Sequence, residues 1–118
     1  MLGSINKALI SGKDFYHYVT IADILYCKSK GSNTAFCVQD YGFINVSVDI
    51  QTVSEKLRVK GFIKPHNLYL VNQAFIQSIS RKKHTDIQLK GGATIPVSEE
   101  LKTELINSLE QSLGLRIP

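Results

Sequence analysis

The tightest constraint on this chain is a period of two. Seven short runs rich in β-branched and aromatic residues recur along it: 15–21 (FYHYVTI), 24–28 (ILYCK), 35–39 (AFCVQ), 41–48, 75–80, 86–90 and 93–97. Such runs form strands, because branched and aromatic side chains pack well on a pleated, half-buried surface. Ser29 to Thr34 separates the second run from the third, with Gly31 and Asn33 to supply a turn. Arg81-Lys82-Lys83-His84 is a basic turn, and Gly91-Gly92 marks a hairpin. The strand runs do not alternate with helices, so a parallel α/β sheet is disfavoured. The expectation is a mainly β, mainly antiparallel domain.

Two helices interrupt this pattern. Thr52-Val53-Ser54-Glu55 fits a capping box, with Thr52 as N-cap and Glu55 reaching back. Val53 and Leu57 then share a face, and Gly61 is the expected C-cap. The second helix is expected to start at Ser98 as N-cap, with Glu99 and Glu100 facing the positive end of its dipole. Leu101, Leu105, Leu109 and Leu113 repeat every four residues, joined by Ile106, and Gly114 ends the helix. The leucine stripe reads as a docking face on the sheet, with self-association as the alternative. Residues 1–12 read as a linker, 13–113 as one domain and 114–118 as a tail.

At 118 residues the chain is one domain of ordinary size, able to bury a core without staples. It is too short for a complete dinucleotide-binding domain or a TIM barrel. No apolar run approaches the roughly 18 residues of a membrane span, and no secretion signal opens the chain, so a cytoplasmic protein without membrane contact is expected. Two cysteines without a CxxC pair exclude a disulfide scaffold and a four-cysteine zinc site. The net charge is +4 and unevenly spread. Residues 99–113 hold four glutamates against one lysine, a net of −3, which leaves +7 on the rest. That asymmetry favours one basic surface, suited to a polyanion, with the acidic helix turned elsewhere.

Catalytic patterns are missing. There is no HExxH, GxSxG or phosphate-cradling glycine loop, and no cofactor is expected. His17 sits in a strand pattern and His84 in the basic turn, which makes them a half-exposed sheet residue and a solvated one. Cys27 and Cys37 lie symmetrically about Ser32, so they could face each other across a hairpin, and read as two small buried hydrophobes.

Residues 62–72 (FIKPHNLYLVN) are not explained by composition. Lys64, His66 and Asn67 stand together before an apolar run. Lysine suits a phosphate, asparagine the edge of adenine, and histidine an acceptor on a base. The plainer alternative is a polar loop over a buried segment.

This stretch resembles the central signature of the LytTR family, the DNA-binding domain of LytR/AlgR-type bacterial response regulators. Phe62, Lys64, His66, Tyr69, Val71 and Asn72 match it in register. Upstream, Asp23-Ile24-Leu25-Tyr26 resembles the family's Asp-Ile-Leu-Tyr strand, with Gly31 at the expected distance. Downstream, Ile95-Pro96-Val97-Ser98 resembles its closing segment, followed by Leu101. The likeness covers about residues 13–112. It implies about ten mostly antiparallel strands in three small sheets, one short internal helix and one C-terminal helix. It also implies double-stranded DNA as partner, at direct-repeat promoter sites, with room for a homodimer on DNA. Loops rather than a recognition helix would read the major groove.

Carried over by position, the first such loop is Lys30-Gly31-Ser32-Asn33, flanked by Lys28. The second runs from Lys64 to Asn67 and includes His66. The third is Ser98-Glu99. Two departures stand out. Family members usually carry Arg where this chain has Glu99, so the third contact is lost or moves to Lys102. Cys27-Lys28 brings a cation where the family strand continues into Glu. The expected function is sequence-specific DNA binding as the effector domain of a transcription regulator, with no chemistry of its own. The rivals are a β-rich protein-interaction module that has lost DNA binding and, more remotely, a small cysteine-dependent enzyme.

Overall fold

The computed structural model describes residues 6–113, 116 and 117. Among the described residues, ten strands form three antiparallel sheets with two α-helices, the architecture that the resemblance implies. Strands β1 (Lys7–Ser11) and β2 (Tyr16–Thr20) make a two-stranded sheet. The central sheet has the order β5-β4-β3-β7-β6, built from β3 (Ile24–Lys30), β4 (Asn33–Val38), β5 (Gly42–Val46), β6 (Phe62–His66) and β7 (Tyr69–Asn72). The third sheet joins β8 (Ile76–Ile79), β9 (Asp86–Leu89) and β10 (Thr94–Pro96). Helix α1 spans Ile50–Leu57 and α2 spans Lys102–Leu113.

Each face of the central sheet has its own core. On one side Cys27, Phe36, Ile44, Phe62 and Leu70 pack with Ile50, Val53 and Leu57 of α1 and with Ile10 of β1. On the other side Val71, with Tyr26 and Ile63 beside it, meets Ile87, Leu89 and Ile95 of the third sheet and Leu105 of α2. The alternation predicted for the strands is what divides the side chains between these two cores. Leu105 is 4% exposed and Leu109 packs against the same cluster, so this part of the leucine stripe docks on the sheet. The Leu113 side chain and Gly114 lie outside the described residues.

Five local expectations are corrected. Residues 7–11 form strand β1 and not a linker, because Ala8 and Ile10 face inward to the first core. Helix α1 starts at Ile50, one turn-half before Thr52, because Asp49 is the N-cap and its Oδ1 accepts the Thr52 N–H at 2.8 Å. Run 41–48 narrows to Gly42–Val46, since Asp40 (φ 61°) and Gly42 (φ 116°) make the preceding turn and Asp49 already caps the helix. The terminal helix opens as a 3-10 turn over Glu99–Leu101 and becomes α only at Lys102. Cys27 and Cys37 do not face each other: β3 and β4 pair Tyr26 with Cys37 and Cys27 with Phe36. The hairpin turn is only Gly31-Ser32, so the pairing sum shifts by one residue, and one residue moves a side chain to the other face.

Candidate nucleic-acid interface

The site is assembled by strand register. Across the central sheet, β5 to β6, one row reads Phe43, Cys37, Tyr26, Val71, Ile63. Its Tyr26, Val71 and Ile63 belong to the second core, while Phe43 at the β5 edge is exposed. The next row on the same face, two residues nearer the turns, reads Asn45, Ala35, Lys28, Tyr69, His66. Lys30 pairs with Asn33 one step further on, on this same face. Lys28, Lys30, Asn33 and His66, far apart in sequence, thus share one face at one end of one sheet. The Lys28 Nζ lies 5.8 Å from the Tyr69 ring centroid, and the His66 ring meets Tyr69 edge to face at 5.8 Å.

Two turns close that end of the sheet. Gly31 (φ 66°) takes the left-handed position in the two-residue turn Gly31-Ser32, which a side chain would strain. Asn67-Leu68 is the turn between β6 and β7. The Ser29 N–H donates to the Leu68 carbonyl at 2.8 Å and fastens the Asn67-Leu68 turn to β3, two residues before the Gly31-Ser32 turn. The third segment joins them, since the Ser98 N–H donates to the Pro65 carbonyl at 2.9 Å. Pro65 is tolerated because β6 is an edge strand, and the pairing there is already shifted by one residue between Ile63 and His66.

Other predicted residues fall differently. Lys64 and His66 lie on strand β6 rather than in a loop. Lys64 stands off the row, where its Nζ donates to Oε1 of Gln51 on α1 at 3.1 Å. With Asn67 it lines a groove of about 400 Å³ whose far wall is Leu101, Glu104 and Leu105. Ser98 occupies the N-cap position but makes no capping bond, and its Oγ is buried without a partner among the described residues. Glu99 is exposed at the start of the 3-10 turn. Lys102 lines a separate groove with Arg81, Thr85 and Ile106. Gln51 and Tyr69 were not among the expected contacts. For Tyr69 the signal was its place opposite Lys28, which is visible only once the register is known.

The thiols are poorly set up for nucleophilic work. Burial pushes the Cys27 thiol well above its ordinary range, with Cys37 adding to the effect, and burial also raises Cys37 against a smaller lowering effect from Tyr26. A nucleophilic cysteine needs the opposite shift. Among the described residues no cluster of three or more His, Cys, Asp or Glu could hold a metal ion. No helix among them is long and apolar enough to cross a membrane.

No curated protein matches this chain. A solved structure that resembles it is the LytTr DNA-binding domain of a protein described as a methyl-accepting/DNA response regulator from Bacillus cereus. It superposes with a TM-score of 0.76 at 18% identity, over 93% of this chain and 98% of that one, which makes the two folds alike. The LytTr DNA-binding domain family matches residues 14–110, nearly the whole described structure, and the chain belongs to that family.

Proposed function

We propose that this chain binds double-stranded DNA sequence-specifically, as the effector domain of a bacterial transcription regulator. It catalyses no reaction. The single observation that carries this reading is the convergence of Lys28, Lys30, Asn33 and His66 on one sheet face beside two turns at the same end of the sheet. The family match supports it. The lysines supply attraction to phosphates without sequence information, and the turns with the strand ends beside them offer Asn33, His66 and Asn67 to base edges in the major groove. A salt titration with a duplex selected from a random pool tests it. The expected result is a steep linear loss of log affinity with log salt, together with discrimination against scrambled duplex.

Exposed Glu99 favours one second reading, a β-rich interaction module without DNA affinity. That reading expects no enrichment of any duplex sequence and no steep salt dependence.

A further inference from the structure

The His66 ring carries information about polarity. Its Nδ1 lies 3.1 Å from the backbone nitrogen of Leu68, two residues on. A backbone N–H can only donate, so Nδ1 must present its lone pair. The bond made by one ring nitrogen sets the state of the other. With Nδ1 accepting, the proton of the neutral ring resides on Nε2. The alternative tautomer would set Nδ1–H against the Leu68 N–H, donor against donor. The imidazolium would do the same.

Nε2 is left over. It has no hydrogen-bond partner among the described residues, and it is not among their buried unpartnered atoms. The ring is half-buried and stacked edge to face on Tyr69, which itself lies beside Lys28. The side chain is therefore held by the turn on one side and by Tyr69 on another, with a single open donor.

We infer that His66 is a specificity-determining residue that accepts no hydrogen bond from DNA and recognises only acceptors on base edges, through Nε2–H. The eligible atoms in the major groove are purine N7, guanine O6 and thymine O4. The amino groups of adenine and cytosine are excluded. This inference rests on the DNA-binding reading above and adds the chemistry of one contact to it.

Two measurements test it. Nitrogen-15 shifts of the His66 ring in the free protein at neutral pH should show Nδ1 unprotonated and Nε2 protonated. A ring protonated on Nδ1 overturns the inference. The second uses the duplex selected by the wild-type protein, with analogues that each delete one acceptor: 7-deazapurines for N7, 2-aminopurine for guanine O6 and 5-methyl-2-pyrimidinone for thymine O4. One position should lose roughly 10- to 100-fold in affinity with the wild type and nothing further with His66→Ala. His66→Gln, whose amide nitrogen reaches about as far as Nε2, should keep that discrimination. His66→Asn, whose reach matches Nδ1, should lose it. If the wild type discriminates among sequences but no acceptor position depends on His66, the inference fails and the DNA-binding reading stands. If His66→Ala weakens all sequences equally, the contact is to a phosphate and the inference also fails. If no duplex is selected at all, both fall.

Discussion

The side-chain amide of Asn72 donates to the Ile24 carbonyl at 3.0 Å, while its Oδ1 accepts the Ala74 N–H at 3.0 Å. Asn72 is 5% exposed. The β3–β4 register shifts between Ile24 and Tyr26, and Asn72 reaches across from β7 to bond the carbonyl at that irregularity. The last residue of the 62–72 signature is thus a fastener between strands, remote in role from base reading. Asn72→Ala should destabilise the fold by about 1–3 kcal/mol, the cost of leaving a buried polar group unpaired. Urea unfolding measures it. Sequence discrimination by the folded fraction should be unchanged.

Leu105 is the most enclosed side chain described on α2 and packs into the second core with Ile87, Leu89 and Ile95. Leu105→Ala should cost about 2–5 kcal/mol, through lost transfer energy and the cavity left behind. Sedimentation on the same samples gives the contrast. A change of oligomeric state at unchanged stability would make the stripe an association face.

Lys64 holds its ammonium against a neutral amide, Gln51, so its charge is not cancelled. Lys64→Ala should weaken binding to every duplex alike and reduce the slope of log affinity against log salt by about one. Gln51→Ala, which removes only the amide, should leave that slope unchanged. Equal slopes for wild type and Lys64→Ala would place the ammonium away from the phosphates.

The Asp49 cap makes folding sensitive to acid. The Thr52 backbone N–H holds the Asp49 carboxyl below its ordinary value of 3.8. A carboxyl lowered on folding contributes stability that is fully present above its unfolded value. That contribution is lost as pH falls through the folded value. Asp49→Asn keeps an oxygen acceptor at the cap but cannot titrate. Thermal melts below about pH 4 should therefore fall less steeply for Asp49→Asn than for the wild type. Parallel curves would mean that other carboxyls dominate acid unfolding.

Fold class was legible because alternation acts over whole strands and tolerates errors of a residue or two. Features that depend on a single residue were not. Thr52 and Asp49 are both competent caps, and buried Ile50 decides between them by extending the helix three residues earlier into the core. Cys27 and Cys37 looked opposed because symmetry about Ser32 was assumed, whereas the turn is only two residues long. The candidate site was legible in its residue types and opaque in its geometry. Nothing local in the chain states that Lys28 lies beside Tyr69, or that Ser98 bonds back to Pro65.

Glu99 sets two effects against each other. It is exposed in the first turn of the terminal helical segment, immediately after Ser98, whose N–H is tied to the same strand as His66. A carboxylate in a first helical turn stabilises by about 0.3–1 kcal/mol. The Ser98 side chain makes no capping bond, so that contribution is not duplicated there. Beside a phosphate backbone the same carboxylate repels, more strongly at low salt than at high. Glu99→Arg should therefore lower the melting temperature slightly and tighten duplex binding. Salt dependence should steepen, since one cation is added and one anion removed. Lys102→Gln is the comparator: its side chain lines the groove with Arg81 and Thr85, so its effect on affinity should be the smaller. Affinity at two salt concentrations, with melts on the same samples, measures both. Unchanged affinity of Glu99→Arg at low salt would mean that this turn faces away from DNA, leaving the Gly31-Ser32 and Asn67-Leu68 turns as the reading surface.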